Sequence, residues 1–191
     1  YRPLSHYFRQ NFSQVTNPPI DSLRENKVMS LRTRFGNLGN ILSFENLTKE
    51  NVYVLETPIL SNSQFNQFKK YFNNNYRVID CTFEKKESLK DVLDKIRFLS
   101  EIAAREGVKQ IILTDKANDE NRLAVPMILA VGAVNSYLIS KSLRGFVSLN
   151  IETADALDTH SFAVILGVGA TTINPYLALD SISQRFQKKL F

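Results

Sequence analysis

Three carboxylates recur at the same point of a repeating pattern. Asp80 follows "YRVI", Asp115 follows "IILT" and Glu152 follows "SLNI", so each closes an apolar run that reads as a β-strand. Acids at the C-terminal ends of successive parallel strands occupy the edge where barrels and doubly wound sheets carry their chemistry. Three of them there suggest a metal site. The same residues serve equally to cap the turns and helices that follow, and capping is the preferred reading. Other reactive side chains are sparse. His6 and His160 are the only histidines and Cys81 the only cysteine, and none has metal-ligand spacing to another. Cys81 lies in a strand-like run and reads as a buried, inert thiol. His160 begins an apolar helical stretch and reads as structural. Gly167-Val168-Gly169 hints at a phosphate loop, but the dinucleotide fingerprint needs a glycine where Thr172 stands. That loop also follows a helix and opens a strand, the reverse of the required order. A helix C-cap with a tight turn is expected instead. No catalytic, cofactor-binding or metal-ligating residue is assigned to this chain.

The elements that position these residues follow from periodicity. "YRVIDCTF" (76–83), "KQIILTD" (109–115), "FVSLNIE" (146–152) and "ATTIN" (170–174) read as four strands. Between them, Leu89, Val92, Leu93, Ile96, Leu99, Ile102 and Ala103 fall at helical spacing over 88–106, with Gly107 as the stop. Pro126 opens a second helix, apolar nearly all round at first, that closes at Gly145. A third helix covers about 158–166, and Pro175 opens a last one. Alternating strand and helix is the mark of βα units on a parallel sheet. The expectation is an α/β domain with a mostly parallel open sheet, like part of a barrel, and an N-terminal helical and irregular arm. It is read as a single domain, 1–191, with the arm and connecting segments at 1–75 and the repeat core at 76–191.

Composition narrows the classes. Hydrophobic residues make up 43% and charged residues 23%, ordinary for a globular domain with one good core. No apolar run approaches the roughly 20 residues of a membrane helix. The net charge of +5 is dispersed, with only the pairs Lys85-Lys86 and Lys188-Lys189 adjacent, and no nucleic-acid motif accompanies it. A lone cysteine fits a reducing compartment. No membrane and no nucleic-acid partner is expected, and the location is read as cytoplasmic. Tyr1 in place of an initiator Met reads as a fragment or a processed chain, and no signal-peptide pattern precedes Arg9.

The N-terminal arm holds a stiff corner, "QVTNPPIDSLRE". Pro18 and Pro19 favour extended backbone, and Asp21 or Ser22 caps a helix, with Ser22-x-x-Glu25 in the capping-box pattern. "FRQNFSQVTNPPIDSLRENKVMSL" (8–31), "ETPIL" (56–60), "VPMILAVGAVNSYLI" (125–139), "SLNIETADA" (148–156) and "HSFAVILGVGATTINPYLAL" (160–179) occur in this order along nearly the whole chain. Together they resemble the central domain of the glutamate synthase large subunit. "KANDENRL" (116–123) and "RFGNLGN" (34–40) depart from that pattern and read as loop variation.

The resemblance implies an oxidoreductase that makes glutamate from glutamine and 2-oxoglutarate. The chain would be the scaffold between an amidotransferase domain and an FMN-binding barrel, and part of the ammonia tunnel joining them. It implies no cofactor in this chain, with FMN and an iron–sulfur cluster in the neighbouring domain, and a small reductase subunit or ferredoxin as a possible further partner. The tunnel-lining candidates are Thr16, Asn17 and Ile20. The alternatives are a free-standing barrel-like α/β enzyme or phosphate-binding domain, or an interaction module.

Overall fold

A computed structural model describes residues 2–9, 20–35, 53–73 and 75–190. Within the arm, a single 3-10 turn covers Leu4–Tyr7, and α1 runs over Ser22–Val28. Asp21, not Ser22, is the N-cap of α1: its Oδ1 accepts from Leu23 N at 3.0 Å and Arg24 N at 2.9 Å. The carboxylate one residue earlier reaches both orphan amides, which leaves Ser22 inside the first turn. β1 (Thr33–Phe35) and β2 (Tyr53–Leu55) form a two-stranded antiparallel ribbon. α2 (Asn62–Phe72) follows. It lies in the region read from the sequence as arm and connecting segments. Its signal is Ser61-x-x-Gln64: Ser61 Oγ accepts from Gln64 N, and Gln64 Oε1 from Ser61 N.

The core is a four-stranded parallel sheet in the order β3 (Tyr76–Asp80), β5 (Gln110–Thr114), β7 (Ser148–Glu152), β8 (Thr172–Asn174). The helices between them are α3 (Leu89–Arg105), α4 (Met127–Ser140) and α5 (Thr159–Gly167), and α6 (Tyr176–Gln187) ends the fold. Each crossover moves to the next strand, as in a segment of a βα barrel, and the sheet stays open. The expected α/β fold is therefore observed.

The first strand is shorter than expected because the chain changes partner at Cys81. Cys81 N donates to Thr114 O, its carbonyl accepts from Val125 N, and the next residues, β4 (Thr82–Glu84), pair antiparallel with β6 (Arg122–Ala124). Part of the 116–123 segment, read as a loop, is thus strand. α4 stops before Gly145: Ser142 takes the left-handed conformation at φ 57°, and Leu143 N bonds Leu138 O. α3 and α5 end as expected. Gly107 (φ 82°) and Gly169 (φ 126°) sit in Schellman caps, with Val108 N on Ala103 O and Ala170 N on Ile165 O. A Cβ on Gly169 would lie 2.3 Å from Asn135 Cγ, so only glycine fits.

The two faces of the sheet differ. Ile79, Ile111, Leu113, Leu149, Ile151 and Ile173 pack in one apolar cluster with residues of α3, α4 and α5. The opposite face carries Gln110, Ile112, Asn150 and Thr172, all at most 1% exposed. Ile112 packs there with Leu60, Phe65 and Phe68, the last two on α2. The central strand residues Ile111–Leu113 are all buried, but only the odd-numbered ones join the cluster of α4.

Ile112 and Val78 are paired across β3 and β5, yet Val78 is 46% exposed at the sheet edge. Ile112→Asp is expected to cost several kcal/mol, a large share of the roughly 5–15 kcal/mol that stabilises a typical domain. Val78→Asp should cost less than about 1 kcal/mol. Denaturant midpoints of the two variants measure this, and equal losses would contradict the two-faced sheet.

Candidate functional site

The strand ends are where the three acids were expected, and each one has its own donors. Asp80 closes β3. Its Oδ1 accepts from Thr82 N at 2.9 Å and Thr82 Oγ1 at 2.8 Å, and its Oδ2 from Arg122 Nη2 at 2.9 Å. It therefore caps the turn at which the strand breaks. Arg122 also donates to Thr82 Oγ1 and to Thr82 O, tying β6 to the same turn.

Glu152 closes β7 in one row with Thr114 and Asn174. Its Oε1 accepts from Lys69 of α2 at 3.1 Å and Lys116 at 2.9 Å, and its Oε2 from Thr114 Oγ1 at 3.0 Å. Burial pushes its acidity toward the neutral form, but the two ammonium groups outweigh that and hold the carboxyl below its ordinary range. Lys116 also lies over the Tyr176 ring, 4.9 Å from its centroid. In the same row, Asn174 donates to Leu60 O and Asn62 Oδ1. The row thus binds α2 and the segment before it to the sheet.

Asp115 follows β5 by one residue and is 2% exposed. Thr153 Oγ1 donates to it at 2.6 Å, Ala154 N at 3.0 Å and the Tyr176 hydroxyl at 2.9 Å. Burial outweighs these three donors and raises its pKa, the opposite of Glu152. It lines a cavity of about 250 Å³ together with Leu4, Val125, Pro126 and Asp155. Asp155 accepts there from Met127 N, the first amide of α4.

Each of these carboxylates is thus engaged by hydroxyls, amides or cations of the chain itself. Among the described residues no three of His, Cys, Asp and Glu gather. Cys81 is buried, and burial pushes its thiol far up. His160 Nε2 is 2.9 Å from Ser5 O, holding the 3-10 turn against the start of α5. Gly167 and Gly169 form the end of α5 and not a phosphate cradle. Ile20 is half-buried just before α1, whereas Thr16, Asn17, Pro18 and Pro19 lie outside the described residues.

Sequence reasoning missed Lys69, Lys116 and Tyr176 as partners of the acids, and the buried polar set beneath them. Asn150 Nδ2 donates to Gln110 Oε1 at 2.9 Å, and its Oδ1 accepts from Thr172 Oγ1 at 2.7 Å. Only the position of a polar residue inside an apolar run, "SLNIE", could have signalled it.

The opposed shifts give a pH test. Glu152 releases its proton more readily folded than unfolded, so its stabilisation is complete above its ordinary value near 4.5 and fades as pH falls through the lower folded value. Asp115 works the other way, its contribution fading as pH rises through its raised value. Glu152→Gln should cost about 1–2 kcal/mol at pH 7, because two lysines lose their anion. That penalty should shrink toward pH 3. Unfolding midpoints across pH 3–7 read it, and a penalty constant with pH would remove the ion pairs from the account.

Comparison with known proteins then bears on the whole chain. The family model described as "Glutamate synthase central domain" matches residues 1–191. The large chain of an NADPH glutamate synthase from Azospirillum brasilense is 53% identical over 194 residues, covering 100% of this chain and 13% of that protein. A Bacillus subtilis NADPH glutamate synthase large chain is 39% identical over 97% of this chain and 12% of its own length. The chloroplastic ferredoxin-dependent glutamate synthase of Spinacia oleracea is 36% identical over 95% and 12%. The chain thus spans about an eighth of the relatives it matches here, and over that span it belongs to the glutamate synthase central domain family.

Proposed function

We propose that this chain is the connecting domain of a glutamate synthase that makes glutamate from glutamine and 2-oxoglutarate. It would stand as a scaffold between an amidotransferase domain and an FMN-binding domain of one polypeptide, and form part of the wall along which ammonia passes between them. The observation that carries this reading is the match over residues 1–191 to the central-domain family, with relatives that are themselves glutamate synthases. The single-domain reading, with an arm to residue 75 and a repeat core from 76, belongs to the same proposal. So does a cytoplasmic location. A small reductase subunit or ferredoxin would supply electrons to the neighbouring domain.

FMN and an iron–sulfur cluster would supply the redox chemistry of such an enzyme, and the described residues of this chain form neither a cysteine set nor a phosphate loop for them. Its one cysteine is buried with a raised thiol pKa, and its glycine-rich turn ends a helix. What the chain's own residues would do is confine a neutral nitrogen. A wall for ammonia must not fluctuate and must not offer protons. Pro18 and Pro19 supply stiffness, Thr16 and Asn17 neutral hydrogen-bonding groups, and Ile20 an apolar surface.

The test uses the full-length enzyme. Replacing Pro18 and Pro19 by Gly should cost roughly 0.4–1 kcal/mol per site and leave the fold standing. Ile20→Glu places a titratable group beside the path. Both variants are expected to hydrolyse more glutamine than they convert to glutamate, with each half-reaction intact when assayed alone and with ammonia supplied externally where the enzyme accepts it. Tight coupling in both would remove Thr16, Asn17 and Ile20 from the conduit.

A further inference from the structure

The 3-10 turn Leu4–Tyr7 lies against the C-terminal edge of the sheet, and its attachment there is slight. Its backbone bonds are internal: His6 N donates to Pro3 O and Phe8 N to Ser5 O, each at 3.1 Å. Among the described residues, two contacts tie it to the body. His160 Nε2 is 2.9 Å from Ser5 O, and Leu4 packs against the apolar cluster. A carbonyl oxygen only accepts, so Nε2 carries the proton of that bond. Ser5 is buried, but Pro3, Leu4 and His6 are half-buried, and Tyr7, Phe8 and Arg9 are exposed. Leu4 is also the one described wall of the 250 Å³ cavity that comes from outside the βα core. Asp115, Val125, Pro126 and Asp155 are among the other walls. A segment with so few buried contacts opens at a free energy well below that of global unfolding, and this one takes a wall of the cavity with it.

We infer that the turn is a cover over this cavity, opening as a unit while the sheet stays folded, with His160 as its catch. Open, it gives solvent and small solutes a route to the Asp115 carboxyl, at the strand edge where related folds bind their ligands. Closed, it contributes to the burial of Asp115, which is 2% exposed and whose pKa that burial raises. The bonds inside the turn hold its shape in both positions, so only the His160 bond and the Leu4 packing are lost on opening.

Thiol labelling of the full-length protein tests this. Val125 is 1% exposed and lines the cavity, so Val125→Cys places a thiol there that a small maleimide reaches only on opening. Cys81 is 0% exposed and serves in the same molecule as the reporter of wider unfolding. Peptide mass spectrometry reads both labelling rates. In the Val125→Cys background, His160→Phe keeps a ring and removes the donor, and the introduced thiol should label roughly fivefold faster, the worth of one ordinary hydrogen bond. His160→Gln restores an N–H donor and should return the rate toward that of the parent. Leu4→Ala should raise it roughly tenfold or more. Cys81 should keep its parent rate in all of them. A rate at the introduced thiol that neither His160→Phe nor Leu4→Ala moves overturns the inference. So does a parallel rise at Cys81, which would make the opening global, and His160→Gln labelling as fast as His160→Phe removes His160 as the catch. Leu4→Ala leaves α5 untouched and decides the matter if His160→Phe does not fold.

Discussion

The amide of Asn150 is the constraint around which the sheet is arranged. It lies at 0% exposure in β7, between β5 and β8, and bonds to a side chain on each: Gln110 on one side and Thr172 on the other. A buried amide left without partners costs about 1–3 kcal/mol, so both neighbours have to stand opposite it. That requirement fixes register across three strands at once. A slip of one residue would turn Asn150 into the cluster of Leu149, Ile151 and Ile173, and bring those apolar residues onto the polar face. The set is fully satisfied, which is the condition under which a buried polar network specifies a structure.

The two faces then recruit different cover. The apolar face takes α3, α4 and α5, whose inward residues include the small or branched Ala103, Ala130, Val131, Val134 and Ile165. The polar face takes α2, which meets it with Phe65 and Phe68 over Ile112 and with Lys69 over Glu152. Glu152 is two residues beyond Asn150 and so lies on the same face. The segment before α2 is drawn to the sheet by backbone bonds as well, Leu60 N to Ile173 O and Ile173 N to Pro58 O, which cover the outer edge of β8. The segment from Pro58 through α2 is therefore attached through one face and one edge of the parallel sheet.

Much of the core was legible in the sequence because its signals are local. The three- and four-residue spacing from Leu89 to Ala103 marks α3, and Gly107 and Gly169 stand where a left-handed residue is needed. The parts that were not legible depend on distant residues. Lys69 and Glu152 are 83 positions apart, and no spacing rule pairs them. β4 and β6 are three residues each, too short for alternation to show, and exist because the chain leaves β5 for a new partner at Cys81. α2 was hidden by its polar content, although its Ser61–Gln64 box was present to be read. Asp21 is the cap in place of Ser22, with its Oδ1 accepting from the amides of both Leu23 and Arg24. The tunnel candidates Thr16 and Asn17 rest on resemblance, with no local signal to add.

The strand-end acids are each answered by groups of the same chain. Glu152 is held ionised by Lys69 and Lys116, and those ammonium groups are in turn engaged by the carboxylate. Asp115, whose burial favours the proton, is enclosed by Thr153, Ala154 and Tyr176 and is only 2% exposed. Each acid is thus neutralised or shielded by groups of the same chain, at the edge where a related fold would carry its catalysis.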